Sequence, residues 1–441
     1  MALYSLAPAI LWIVPLSGDL AFAQTLEGAL ENPDPGFNDR FGYSVDVSGR
    51  TAIIGERNND TNGQSNSGAA YIFTPGGTRI DLEGPTPVDG NDRNDRFGTS
   101  VAISGNRAIV GETGEDSAGD NSGAAHIFDV LTGSLLTTLT SARPAASGNF
   151  GSSVAVSDQY AVVGAAGDDS SVNASGAAYV YNVNTGALVS TLAGTNPSNG
   201  DFFGQSVAVS GDRVVVGANG QTGGGAVYVF QASTGNLLET LNNPTPSVLD
   251  NFGTSVSIDG NAVIVGSPDD DNANGIDAGT AYVYDLTQSS GQQLIYTLSN
   301  PSGTGFDYFG SSVDVAGNTA VVGAPLDSNP TAGFTTAFAG TVYAYDLTSG
   351  ALVQTLNNPE PFLFDGFGNS VAISENEDFY LIGASASNDG NWNSGSAYLY
   401  SSGIRSVPEV SATGALAAFA SLFAMMAFLW ERRRTVLLAE V

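Results

Sequence analysis

The chain has 441 residues, with 13 Lys or Arg against 44 Asp or Glu, a formal net charge of −31. Every base is Arg, and Cys is absent. This balance opposes nucleic-acid binding, which needs cations against phosphates. Without Cys there are no disulfide staples and no thiol chemistry; without Lys there is no Walker-type phosphate loop. The acidity suits solubility, cation association and salt adaptation alike.

In chain order, residues 1–23 resemble a secretory signal peptide. Ile10-Leu11-Trp12-Ile13-Val14 is an apolar core, and Ala21-Phe22-Ala23 is a cleavage signal before Gln24. The segment departs from the pattern in having no base near Met1.

From Gln24 to Ile404 one phrase organises the sequence, Phe-Gly-x-Ser-Val-x-Val/Ile. Its seven copies begin at Phe41, Phe97, Phe150, Phe203, Phe252, Phe309 and Phe367, spaced 49 to 58 residues apart. A period of this length marks repeated supersecondary units, each unable to bury its apolar face alone. The second copy shows what one unit contains. Phe97 to Ile103 alternates as a strand. Ser104-Gly105-Asn106 is a tight turn, and Ala108-Ile109-Val110-Gly111 is an apolar run suited to a strand covered on both faces. A polar loop leads to Gly123–Phe128, and a turn to Leu135–Leu139. Four short antiparallel strands repeated seven times predict an all-β, seven-bladed β-propeller over residues 24–404. The seventh unit ends after three strands. Thr25 to Pro35 matches the fourth strand and linker of repeat four, Leu237 to Pro246, so the N-terminal strand is expected to close the last blade.

The Phe-Gly-x-Ser-Val phrase, with Val321-Val322-Gly323-Ala324-Pro325 and Gly340-Thr341-Val342-Tyr343, resembles the FG-GAP repeat of the integrin α-subunit N-terminal propeller and its bacterial relatives. In that family a calcium loop joins the first and second strands. Here that connection is cut to turns such as Ser48-Gly49-Arg50 and Ser210-Gly211-Asp212, so the family's ligands do not carry over.

Residues 405–411 form a linker with a short motif, Val407-Pro408-Glu409. Ala412 to Trp430 is free of charge and, as a helix, about 28 Å long, enough to span a bilayer. Arg432-Arg433-Arg434 stands within the basic tail, 431–441, and on the positive-inside rule keeps that tail cytoplasmic. This order resembles the PEP-CTERM sorting signal. The resemblance implies export, membrane association and an exosortase-type processing protease; Val410 departs from the usual Pro. A plain membrane anchor is the alternative.

Calcium is the one cofactor to weigh. Asp269, Asp270, Asn272, Asn274 and Asp277 form the best candidate loop, since Asp270, Asn272, Asn274 and Gly275 match the start of a calcium loop while Asp277 falls one place early. Asn58, Asp60 and Asn62 form a weaker match. A solvated polar loop explains either run as well. Asp stands two residues before Phe-Gly in six copies, which reads as a turn-fixing residue. The single histidine, His126, takes the place of a strand Tyr, and with it alone the common nucleophile–base pairs are nearly excluded.

The long acidic loops between strands two and three and the linkers into strand one should share a face. Phe334, Phe338 and Trp392 are candidate ligand-binding residues there. The expected function is a surface-anchored, non-enzymatic binding protein that engages an extracellular protein or polysaccharide in adhesion or matrix building. A carboxylate-dependent glycan hydrolase or lyase, and a purely structural coat protein, are the alternatives.

Overall fold

The structure is a computed structural model that describes residues 25–60, 65–85, 94–116, 118–169, 172–328, 338–388 and 391–402. The signal segment, the motif at Val407-Pro408-Glu409, the apolar segment 412–430 and Arg432-Arg433-Arg434 lie outside the described residues. So do Asn62 and Phe334. Among the described residues, no helix is long and apolar enough to cross a membrane.

Among the described residues, twenty-eight strands, numbered in chain order, form seven four-stranded antiparallel sheets. The innermost strands of blades 1 to 7 are β2 (Phe41–Ser48), β6 (Phe97–Ser104), β10 (Phe150–Val156), β14 (Ser206–Ser210), β18 (Ser255–Asp259), β22 (Ser312–Ala316) and β26 (Phe367–Ile373). Each second strand is an apolar run with both faces covered: Ile53, Ile54, Ile109 and Val110 have no exposed surface. The fourth strands form the rim and are mostly exposed, as Leu135 and Leu136 are exposed while Leu139 is buried.

The recurring phrase is explained at the joints between blades. Each Phe is buried and meets the third-strand aromatic of its own blade, as with Phe150 and Tyr179 at 5.5 Å. The following Gly has positive φ and lies against the neighbouring backbone. A methyl group on Gly55 would sit 2.2 Å from the carbonyl oxygen of Gly98 in the next blade. The Ser hydroxyl then donates across the same joint: Ser100 to Gly151 O and Ser153 to Gly204 O, both at 2.8 Å.

Closure follows the expected route. β1 (Thr25–Leu30) pairs antiparallel with β28 (Ser396–Ser401), making the seventh sheet β1-β28-β27-β26, with β27 spanning Phe379–Ala384. The joint between blades 7 and 1 repeats the others: Phe41 bridges Gly395 as Phe97 bridges Gly68. A methyl group on Gly383 would meet Gly42 O at 2.1 Å. The antiparallel pairing sets Thr25 opposite Ser401, and Ser402 N–H donates to Asp378 O in the turn after β26 at 2.8 Å. Both ends of the described chain therefore leave from the face of the first-to-second-strand turns.

Packing at the joints makes a clear prediction. Gly111→Ala, whose methyl would lie 2.1 Å from Gly151 O, should lower stability by about 2–3 kcal/mol. Gly105→Ala, at a turn with open space around it, should cost only about 1 kcal/mol. Urea unfolding of the two variants measures the difference; equal midpoints would remove the close approach as the reason for the glycine.

Candidate functional site

Two places on this scaffold carry more than architecture: the central channel, and the face that gathers the linkers and the second-to-third-strand loops.

The seven inner strands surround a channel of about 480 Å³. The middle residue of each Val-x-Val/Ile lies along it: Asp46, Ala102, Ala155, Ala208, Ser257, Asp314 and Ala372. Two blades thus place a carboxylate where four place Ala. Each carboxylate caps the unpaired inner edge of neighbouring strands. Asp46 accepts from Ile103 N–H at 2.7 Å and Val47 N–H at 2.8 Å. Asp314 accepts from the Ser257 hydroxyl at 2.6 Å, Ile373 N–H at 2.8 Å and Val315 N–H at 2.9 Å. Enclosure by the strands raises the Asp46 carboxyl from 3.8 to about 8, with the Asp314 charge adding to the effect. Enclosure raises Asp314 to about 6. Sequence reasoning missed this pair. The signal was present in the aligned repeats, where Asp stands at a position the other copies fill with Ala or Ser.

The second place is built by a repeated loop code. In five blades the linker residue three before Phe-Gly donates its N–H to the preceding blade's loop: Asn38 to Trp392 O (2.9 Å), Asn94 to Ser65 O (2.9 Å), Ser147 to Asp120 O (2.7 Å), Gly200 to Asn173 O (3.1 Å) and Phe306 to Ile276 O (2.8 Å). The residue just before Phe does the same one place on, as Arg96 to Asn66 O (3.1 Å) and Tyr308 to Asp277 O (3.3 Å). These contacts put the linkers and loops on one face, as expected from the sequence.

The candidate calcium residues fall inside this code. Asp277 occupies a left-handed loop position, shared with Asn66, Asn121, Ala174, Phe338 and Asn393. Its N–H is held by Asp271 Oδ1 at 2.9 Å. Asp60 holds Asn66 N–H at 2.9 Å, and Asp169 holds Ala174 N–H at 2.6 Å, in the same way. Asp270 is buried and accepts the third-strand Tyr282 hydroxyl at 2.6 Å, as Asp168 accepts Tyr179 at 2.6 Å. Asp327 likewise accepts Tyr343. Asp269 accepts from the Asn251 amide at 2.5 Å. Asn272 donates to Gly279 O at 2.7 Å, and Asn274 to Asn300 O at 2.9 Å. Asn58 donates to Asn38 O at 3.2 Å. Asp270, Asp271 and Asn272 use side-chain oxygens within their own blade, for the Tyr282 hydroxyl and the Asp277 and Asn274 N–H groups, and among the described residues no three acids or histidines converge as a metal site.

The Asp two before Phe-Gly is a turn-fixing residue, as read from the sequence. It is buried in all six copies. It holds the N–H three residues earlier, as Asp250 with Ser247 (2.7 Å) and Asp307 with Thr304 (2.9 Å). His126 is fully buried in the Tyr position. Its Nε2 meets Glu112 Oε2 at 2.7 Å and its Nδ1 meets the Thr138 hydroxyl at 3.1 Å, so it belongs to the same carboxylate contact that Tyr makes elsewhere.

Phe338 and Trp392 stand on the linker face. Phe338 stacks on Phe364, with centroids 5.3 Å apart, and Trp392 meets Phe37 edge-on at 6.1 Å.

A closed ring of seven such blades, with its variable residues gathered on one face, defines a repeat β-propeller. The FG-GAP repeat matches residues 25–73, 86–128, 135–181, 188–230, 246–284, 297–345 and 363–400, and the chain belongs to that family. The VPEID-CTERM protein sorting domain matches residues 407–435, a PEP-CTERM-like signal that marks an exported, surface-associated protein. No curated protein matches the chain.

The channel carboxyls give a pH dependence. A carboxyl whose folded value is raised favours the folded state below its unfolded value and loses that contribution as pH rises through the folded value. Asp46 should therefore cost stability progressively from its ordinary 3.8 up to about 8. In thermal melts across that range, Asp46→Asn should flatten the decline; a variant curve as steep as the parent's would contradict the assignment. Calcium can be tested in parallel. Since Asp270 and Asp271 already hold protein partners, the melting midpoint should be the same with calcium and with chelator. A midpoint raised through linkage would show a bound ion.

Proposed function

We propose that this protein is a surface-displayed, non-enzymatic binding protein, acting in adhesion or matrix association through its linker face. The observation that supports this reading is the division of labour within the repeats. The recurring residues join blades, while residues that differ between blades collect on one face of a rigid ring, and such loops are where scaffolds carry function. The ligand class is an extracellular protein or polysaccharide. The sorting domain supports display and processing by an exosortase-type protease, with the C-terminal segment associating with the membrane.

A second reading has its own support. Asp46 and Asp314 share one channel and have raised carboxyls of about 8 and about 6. Two carboxyls held at different values are the equipment of a glycan hydrolase.

One experiment separates the readings. The exported chain is incubated with polysaccharide and protein fractions of extracellular matrix, and retention and chain cleavage are both measured. Retention without cleavage, unchanged by Asp46→Asn with Asp314→Asn, is the expected result. Cleavage abolished by that double change would establish the enzyme instead.

A further inference from the structure

The linker face is not uniform around the ring. At the joints between blades 1/2 and 2/3 the linker–loop contacts are polar: Asn94 meets Ser65, with an Asn66–Asn94 amide bond of 3.0 Å, and Ser147 meets Asp120. At three consecutive joints, 5/6, 6/7 and 7/1, the pairs become apolar and exposed: Ile276 with Phe306, Phe338 with Phe364, and Trp392 with Phe37. Trp392 is 63% exposed and Phe37 75%.

Backbone conformation sharpens the contrast. The position three before Phe-Gly is left-handed in several blades, with φ of 66° at Asn38 and 63° at Asn94. Asn tolerates that region. Blades 5, 6 and 7 place Leu249 (φ 78°), Phe306 (φ 67°) and Phe364 (φ 64°) there, and Phe338 in the loop has φ 59°. Bulky side chains are strained in this conformation, and these are also exposed to water. Neither property helps the isolated ring, so the residues are explained by something that covers them.

Charge identifies the occupant. From Val214 to Ile404 the sequence has eighteen Asp or Glu and no Lys, Arg or His. All the arc's residues except Phe37, which stands three before Arg40, lie on this stretch, whose charge has a single sign. A second copy would bring the same negative charge and be repelled. The face also points away from the end that carries the sorting domain, because Ser402 leaves beside Asp378 in a turn on the other side of the ring.

We propose that this arc docks a cationic polypeptide segment, one whose Lys or Arg side chains alternate with aromatic or aliphatic ones. The apolar side chains would cover the three pairs, and the cations would meet the surrounding carboxylates, including exposed Asp271 and Glu360. This rests on the binding-protein reading and specifies its partner.

The test uses the full exported chain and three synthetic peptides of equal length: alternating Lys/Phe, Gln/Phe and Glu/Phe. Fluorescence anisotropy should show binding of the Lys/Phe peptide that weakens with salt, with the other two at least about tenfold weaker. Phe306→Asn with Phe364→Asn should reduce Lys/Phe affinity by about tenfold. Because Asn suits the left-handed position, the same variant should melt no lower than the parent. Lys/Phe binding unchanged in the variant, or a Gln/Phe peptide or neutral oligosaccharide binding equally well, would overturn the proposal. So would concentration-dependent dimerisation abolished by the variant. If the peptides fail while matrix retention persists, the partner assignment fails and the binding reading stands; if retention is also absent, both fail.

Discussion

The structure depends on how closely seven backbones approach one another. Gly in Phe-Gly and Gly at the end of the second strand face each other across every joint, so one blade's carbonyl oxygen occupies the space of the other's absent Cβ. The Ser hydroxyl of the same phrase reaches the same carbonyl. This explains why the phrase is short and recurrent: it is a surface complementary to itself, read once by the blade before and once by the blade after. Seven copies then fix the ring and the channel together, since the residue between the two valines lies along the channel.

The fold was legible because its determinants are local and repeated. Strand alternation, apolar second strands and the unpaired seventh unit all survive in a single sequence, and the N-terminal closing strand was readable from the likeness of Thr25–Pro35 to Leu237–Pro246. The site was less legible. Asp269–Asp277 looks like a metal loop because calcium loops and tight polar turns use the same residues for the same reason, oxygen atoms on a bent backbone. In the structure Asp270 meets the Tyr282 hydroxyl and Asp271 the Asp277 N–H, contacts that the sequence did not show. The equivalence of Asp277 to Asn66, Ala174 and Phe338 could not be aligned by eye, because the loops differ in length and their common feature is a backbone angle.

The same code explains how one scaffold holds two unlike half-faces. The linker–loop N–H bonds run between main-chain atoms, so side chains at the linker positions can change. Asn94 and Phe306 make the same N–H contact to the preceding loop and present opposite chemistry to solvent. Variation there costs the ring only local backbone strain, whereas variation at the glycines disturbs the joint itself. Carboxylates follow a similar division. Those of the linkers and loops satisfy N–H and hydroxyl groups in fixed positions, while Asp46 and Asp314 are the ones the ring encloses around shared space.

The pairing of β1 with β28 has a consequence for how the molecule comes into being. Among the described residues the first strand, β1, is an outer strand with little buried surface of its own, and its sheet partner is the last, β28. A chain threaded outward from its leading end must therefore carry an unpaired edge until nearly all of it has crossed. Completion of the circle therefore waits until translocation has delivered the whole ring of blades.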